Sequence, residues 1–296
     1  MFKDRVSKKR VPKRKVTLTF EGAKTEFRYF QDIKYSGMVS EDILLVPRKK
    51  GIGERNLSNP KTIAKLLVDY VRYKQGQGCS TDLFSILAIN SIEEQYPRLI
   101  SYDDAGLFVK NVKKELMSQK AANDQMILDE ELALHVSTDY LRRSLNREVT
   151  VNITDKPDPF QTSTPDGAYY LIVDRDDESF SQEQVEEVIE LCQNEGFQLI
   201  ITNPCFEFWL LLHFPVEKEL LIKKATKCKT LKEELSKYSD INDSFYSKNV
   251  FLPHISDARV KLNEYVDDLD ILKNPTAPDT VGSNIGILID ELRMRS

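Results

Sequence analysis

The chain has 296 residues, 41% hydrophobic and 30% charged, and a formal net charge of −5. That length suits one large domain or two small ones around a sizeable core, and only 11 Gly and 12 Pro argue against a linker-rich or disordered chain. No apolar stretch approaches the ~20 residues that span a bilayer, and the charged opening from Met1 to Lys15 lacks the apolar core of a signal peptide, so the expectation is a soluble cytoplasmic α/β protein.

The chain begins with a basic arm, residues 1–14, that runs into Lys15. Through Lys15 it carries Lys3, Arg5, Lys8, Lys9, Arg10, Lys13, Arg14 and Lys15 against Asp4, a local charge of +7 that leaves −12 for the rest. Such an arm can hold a polyanion that the acidic body would repel; the other reading is a solvated terminus. Lys15 to Phe20 (KVTLTF) alternates as a strand, and after Glu21-Gly22 a helical pattern pairs Phe27 with Phe30 and Tyr29 with Ile33. Ile43 to Val46 reads as a strand buried on both faces. Ser58-Asn59-Pro60 reads as a helix start that places Ile63, Leu66, Leu67 and Tyr70 on one face.

From Gly76 to Gly167 the alternation breaks. Residues 80–146 read mainly as helices, Arg147 to Ile153 as a short strand, and Pro157, Pro159 and Pro165 as a loop back to the sheet. Tyr169 to Val173 (YYLIV) is the next strand and ends in Asp174-Arg175-Asp176-Asp177. Ser181 caps a helix carrying Val185, Val188, Ile189 and Cys192; Gly196 ends it, and Phe197 to Thr202 is a fourth strand. From Pro215 the chain reads as mostly helical, closing with Ile285 to Arg293. Strands alternating with helices predict a mostly parallel sheet covered on both faces.

Ligands of such a sheet bind beyond the carboxyl ends of its strands, and acids gather there in this sequence. Glu21 follows the first strand. Asp174 and Asp176 close the third and point to one side, with Arg175 to the other. Neighbouring carboxylates repel unless a cation or a proton intervenes, and oxygen-only ligands suit Mg²⁺ or Mn²⁺; a solvated acidic strand exit is the plainer alternative. Glu207 lies in Asn203-Pro204-Cys205-Phe206-Glu207-Phe208-Trp209, where Asn203 as N-cap and Pro204 as first helical residue would set it in the first turn among aromatics. A carboxylate buried there costs several kcal/mol unless paired or metal-bound, although a Glu complementing the helix dipole would also suit the position. Gly22-Ala23-Lys24-Thr25 is not a P-loop, because Leu18 and Ala23 stand where glycines are required. Gly22 permits close approach or positive φ, and Lys24 and Thr25 at a helix start favour phosphate. Glu178 breaks the haloacid-dehalogenase pattern. Cys79, Cys192, Cys205 and Cys228 have neither CxxC nor His-partnered spacing, so no zinc ribbon or disulfide framework is expected. His213 reads as a satisfied helix histidine, and Phe208 and Trp209 as core.

An acid after strand one, DxD after a later strand and a Glu after the next is the pattern of Toprim domains. Within that class the chain resembles the RloB family, also found as the second component of the AbiL abortive-infection system. The likeness rests on Glu21-Gly22-Ala23-Lys24-Thr25-Glu26 with Tyr29-Phe30, on Val173-Asp174-Arg175-Asp176-Asp177, and on the long motif from Thr202 to Phe214. It implies a Toprim-like α/β fold, a mostly parallel sheet with helices on both faces, a helical insertion and a helical C-terminal part. The expected organisation is a basic arm at 1–14, a Toprim-like domain at 15–76 and 167–296, and a mainly helical insertion at 77–166. It also implies a metal-dependent nuclease site holding two Mg²⁺ or Mn²⁺ ions. Glu21 would be general base or acid and a ligand. Asp174 and Asp176 would be ligands, with Asp177 a lesser one. Glu207 would match the acid that helps a second metal in the related overcoming-lysogenization-defect nucleases. Glu26 would assist, Lys248 would match the lysine that stabilises the transition state, and Lys24, Thr25, Lys13 and Arg14 would contact phosphate.

The function expected from this likeness is a metal-dependent endonuclease of DNA or RNA, the toxic effector of antiphage abortive infection, with an ATPase encoded alongside as partner. The competing class is a non-catalytic Toprim-fold module that binds a nucleotide or nucleic acid as a sensor.

Overall fold

The computed structural model describes residues 15–22, 25–39, 42–46, 59–78, 80, scattered positions within 83–118, 130–146, 148–151, 168–175, 180–238, 246–265 and 281–294. The elements are β1 (Lys15–Phe20), α1 (Thr25–Tyr35), β2 (Asp42–Val46), α2 (Pro60–Lys74), α3 (Glu130–Leu145), β3 (Ala168–Asp174), α4 (Gln182–Glu195), β4 (Gln198–Asn203), α5 (Phe206–Leu211), α6 (Lys218–Lys224), α7 (Cys228–Leu235), α8 (Lys248–Phe251), a 3₁₀ turn (Leu252–His254), α9 (Ile255–Tyr265), β5 (Gly282–Ser283) and α10 (Ile285–Met294). The five strands form one sheet in the order β2-β1-β3-β4-β5. The first four run parallel, and the two-residue β5 lies antiparallel to the end of β4. The chain is thus mixed α/β with a mostly parallel sheet, as expected, and β5 is an addition that its length hides from any periodicity argument. Among the described residues no helix is long and apolar enough to cross a membrane.

The central strands β1, β3 and β4 are largely apolar because both faces are covered, and the side-chain period of two divides them. Val16, Leu18, Phe20, Tyr170, Ile172 and Ile200 join a core with α1, α5 and α10, while Leu171, Val173, Leu199 and Ile201 join a second with α2 and α4. The helix ends follow their sequence signals. Asn59 accepts from Lys61 N at 2.8 Å ahead of Pro60, Ser181 and Gln184 form a capping box, and Gly196 closes α4 at φ 71°. A third core unites Tyr70 and Tyr73 of α2 with Phe84, Phe108, Val112, Leu116, Val136 and Leu141.

Two expectations of local structure change. Glu148 to Val151, the described part of the strand expected over 147–153, is not a strand. Its backbone is satisfied from α3 instead: Val149 O accepts from Arg142 Nε at 3.0 Å, and Val151 N donates to Thr138 Oγ1 at 3.1 Å, so no strand partner is needed. Nor is Asn203 an N-cap. It ends β4, the Asn203–Pro204 bond is cis, and α5 begins at Phe206 after Cys205. Cys205 offers no side-chain cap; a carboxylate from the neighbouring strand does that work, as described next.

Candidate functional site

The parallel register brings the carboxyl ends of β1, β3 and β4 to one edge, with Phe20 beside Ile172 and Asp174 beside Thr202. Backbone bonds then fix the residues that leave the strands. Glu21 N donates to Ile172 O at 2.9 Å, and Arg175 N donates to Thr202 O at 2.8 Å. The Glu21 side chain returns across the same gap, its Oε2 accepting from Asp174 N at 2.9 Å. Asp174 Oδ1 in turn accepts from Phe206 N at 2.9 Å. That bond places an acid at the start of α5, where a free N–H and the helix dipole both favour negative charge.

Two more carboxylates close on this point. Glu26, the second residue of α1, is 6% exposed, and Glu207, the second residue of α5, is equally buried. A Cβ built on Gly22 would lie about 1.9–2.1 Å from the Glu26 carboxylate. Any side chain at 22 would displace the Glu26 carboxylate, so Gly22 serves this close approach, and its φ is not in the positive region. Among the described residues a base faces the group: Lys232 Nζ of α7 is 3.6 Å from Glu207 Oε1. Cys205 and Cys228 complete the edge, with their thiols hydrogen-bonded to each other.

The electrostatics follow from packing four acids in a largely dry corner. Burial holds Asp174 well above the usual carboxylate range, and Glu26, Glu21 and Glu207 add to the effect. Burial pushes Glu26 up to about 7, its own N–H and that of Gly22 oppose the rise, and Glu207 reinforces it. Burial also disfavours the Lys232 ammonium, but Glu207, Cys205 and Cys228 outweigh that and hold its pKa above the ordinary value. The hydrogen bond with Cys228, then burial, keep the Cys205 thiol protonated.

Of the site residues expected from sequence, the structure thus unites Glu21, Glu26, Asp174 and Glu207. Thr25 opens α1 beside them. Asp176, Asp177, Lys24, Lys13 and Arg14 lie outside the described residues. Lys248 is exposed at the first position of α8, and no described contact joins it to the acids. Arg175 points away, as the strand alternation requires: it is buried and its Nη1 donates to Phe180 O at 2.6 Å. Lys232 and the Cys205–Cys228 contact were missed by sequence reasoning. Their only signal there is the lysine-rich run around Cys228, and nothing local says that it folds back onto α5.

The donor chemistry fits a hard divalent cation, because the carboxylates are oxygen ligands whose mutual repulsion a cation would relieve. Among the described residues, which do not include Asp176, no group of three or more His, Cys, Asp or Glu side chains is arranged to hold a metal ion. Asp174 Oδ1 and Glu21 Oε2 are engaged by backbone N–H groups.

His213, just beyond α5, is the satisfied histidine expected. It is 3% exposed. Its Nδ1 lies 3.1 Å from Trp209 O and so donates, which leaves Nε2 to accept from the Tyr29 hydroxyl at 3.2 Å. Burial pushes its pKa down to about 3. Phe208 and Trp209 are fully buried core.

Fold and site together define a mixed α/β protein with a cluster of carboxylates at the carboxyl edge of a mostly parallel sheet. The family model for RloB-like proteins matches residues 16–292, nearly the whole chain, and the chain belongs to that family. No curated protein and no solved structure matches it.

Proposed function

We propose that this chain is a Toprim-type, metal-dependent endonuclease that hydrolyses phosphodiester bonds in DNA or RNA. The observation that carries the reading is the convergence of Glu21, Glu26, Asp174 and Glu207, from three strand ends, with Lys232 beside Glu207. A purely structural corner has no need to gather like charges, and here burial and neighbouring carboxylates raise the pKa of Asp174 and Glu26. Glu21, Asp174 and Glu207, with Asp176, would hold Mg²⁺ or Mn²⁺, which supplies Lewis acidity and an activated water when bound.

The chain's own groups have the remaining roles. Glu21, held by the Asp174 N–H, takes the proton of the attacking water. As the new P–O bond forms, the P–O bond to the leaving strand breaks and that oxygen gains a proton. Glu26, with its pKa near 7, is suited to give or take a proton at neutral pH. Lys232 balances part of the negative charge of Glu207. The same family likeness extends the proposal to a toxic effector of antiphage abortive infection, acting in the cytoplasm with an ATPase partner.

The test is to induce wild-type and Glu21→Gln chains in cells and sequence the ends of cellular DNA and RNA. New ends that appear with the wild type and not with Glu21→Gln support the reading. Equal toxicity and identical ends for both chains would sink it. Ligand-dependent thermal stabilisation lost in Asp174→Asn, with no cleavage of any nucleic acid, would establish the binding module instead.

A further inference from the structure

The acids at the sheet edge would repel the polyanion that the proposed chemistry needs, and the fold sets a basic strip beside them. Residues 223–232 (KKATKCKTLK) contain Lys223, Lys224, Lys227, Lys229 and Lys232 and no acid, in a chain whose net charge is −5. This run is the end of α6, a short turn and the first five residues of α7. Its apolar residues anchor it: Leu221, Ala225, Leu231 and Leu235 are all buried in the main core. The turn is tied as well, with the Thr230 hydroxyl 2.5 Å from Lys224 O and 2.7 Å from Lys227 O. The lysines are left on the outside. Lys223, Lys227 and Lys229 are exposed, and Lys224 and Lys232 are half-buried.

The strip starts at the site. Lys232 lies 3.6 Å from Glu207, and the thiol of Cys228, in contact with that of Cys205, acts electrostatically on Asp174. Lys227 and Lys229 flank Cys228 in sequence, so their Cα atoms are ~3.8 Å from that of Cys228. Lys223 lies four residues before Lys227, exposed in the last turn of α6.

We infer that the α6–α7 lysines form a track for the sugar–phosphate backbone of a nucleic-acid strand, leading it across Lys223, Lys227 and Lys229 to the acidic edge. This inference rests on the nuclease reading for its purpose but not for its test. Phosphate contacts of this kind carry no base information and make affinity steeply dependent on salt. The strip therefore assigns non-specific affinity and strand placement to α6–α7, leaving base selection to other parts of the chain.

The experiment measures binding of the full chain to a fluorescein-labelled oligonucleotide of mixed sequence by anisotropy, across a salt series and in EDTA so that nothing is cut. Single-stranded RNA, single-stranded DNA and duplex DNA are compared, with phosphatidylserine vesicles as a further arm. The variant is Lys223→Gln with Lys227→Gln and Lys229→Gln; thermal melting checks that these surface changes leave the fold intact. With ~0.7–0.9 of slope per phosphate contact, the variant should lower the slope of log affinity against log salt by about 2–3 and weaken binding more than tenfold at low salt. An unchanged slope, no oligonucleotide binding by the wild type, or binding to the vesicles alone would overturn the inference. Cleavage is scored separately with Mg²⁺. A chain that binds through these lysines and cuts nothing removes the nuclease reading and leaves the track.

Discussion

At one end of α5 a buried histidine sits among neutral partners; at the other, four carboxylates gather, with Lys232 beside Glu207. Both ends are polar and both lie inside the same core, yet they answer burial in opposite ways. His213 gives up its charge: burial pushes it down to about 3, and each ring nitrogen keeps one hydrogen bond, to Trp209 O and to the Tyr29 hydroxyl. Nothing further is needed there. At the N-terminal end, backbone N–H groups satisfy Asp174 and Glu21, but burial and mutual repulsion still push Asp174 and Glu26 up. A buried polar group with its partners in place is structural; a buried surplus of one charge waits for a counter-charge.

The comparison can be broken most strongly at the acidic end. Glu21→Gln or Asp174→Asn should lower phosphodiester cleavage by about 10²–10⁴-fold while the chain stays folded, measured as turnover of labelled RNA and DNA with Mg²⁺. A structural carboxylate would instead show unfolding with little specific loss of activity.

At the other end the expected effect is on stability alone. His213→Leu strips the buried Tyr29 hydroxyl of its acceptor and removes one of the two donors to the Trp209 carbonyl, leaving Leu212 N, which should cost about 1–3 kcal/mol in urea denaturation. Any response of the protein to Mg²⁺ should be unchanged.

A smaller effect separates the ends by pH. Glu26 is raised from 4.5 to about 7, so it binds its proton more tightly in the fold than in the unfolded chain. Its contribution to stability is full below about 4.5 and is lost as pH rises through about 7. Glu26→Gln removes that loss. The variant's stability relative to wild type should rise between pH 4.5 and 7 and level off above, in urea titrations at successive pH values. Mg²⁺ at alkaline pH should narrow the gap by offsetting the same repulsion. His213 runs the other way, its stabilisation being lost as pH falls from about 6.5 through about 3, so the difference between the two chains, and not either curve alone, isolates Glu26.

How much of this was legible in the sequence depends on the range of the cause. β1, β3 and β4 were readable because their buried faces are written in consecutive residues, and Glu21, Asp174 and Glu207 because they stand at or just beyond the ends of those strands. The Gly22 requirement was readable as a choice between two reasons, and close approach of Glu26 is the one that holds. The start of α5 was misread because its cap is Asp174, 32 residues earlier in the chain, where local capping rules cannot see it. Within the described part of the strand expected over 147–153, residues 148–151, no strand forms for a similar reason, since side chains of α3 bond Val149 O and Val151 N. Lys232 reaches Glu207 only through the packing of α7 on α5, and no spacing in the sequence encodes that contact.

The most direct measurement is uptake of Mn²⁺ by the purified chain, followed by electron paramagnetic resonance of the free ion. The acidic edge as described here should bind Mn²⁺ in the wild type, lose most of that affinity in Glu21→Gln with Asp174→Asn, and keep it in His213→Leu. Equal uptake by the wild type and the double variant, or none by the wild type, would contradict the assignment of this edge as a metal-dependent catalytic site.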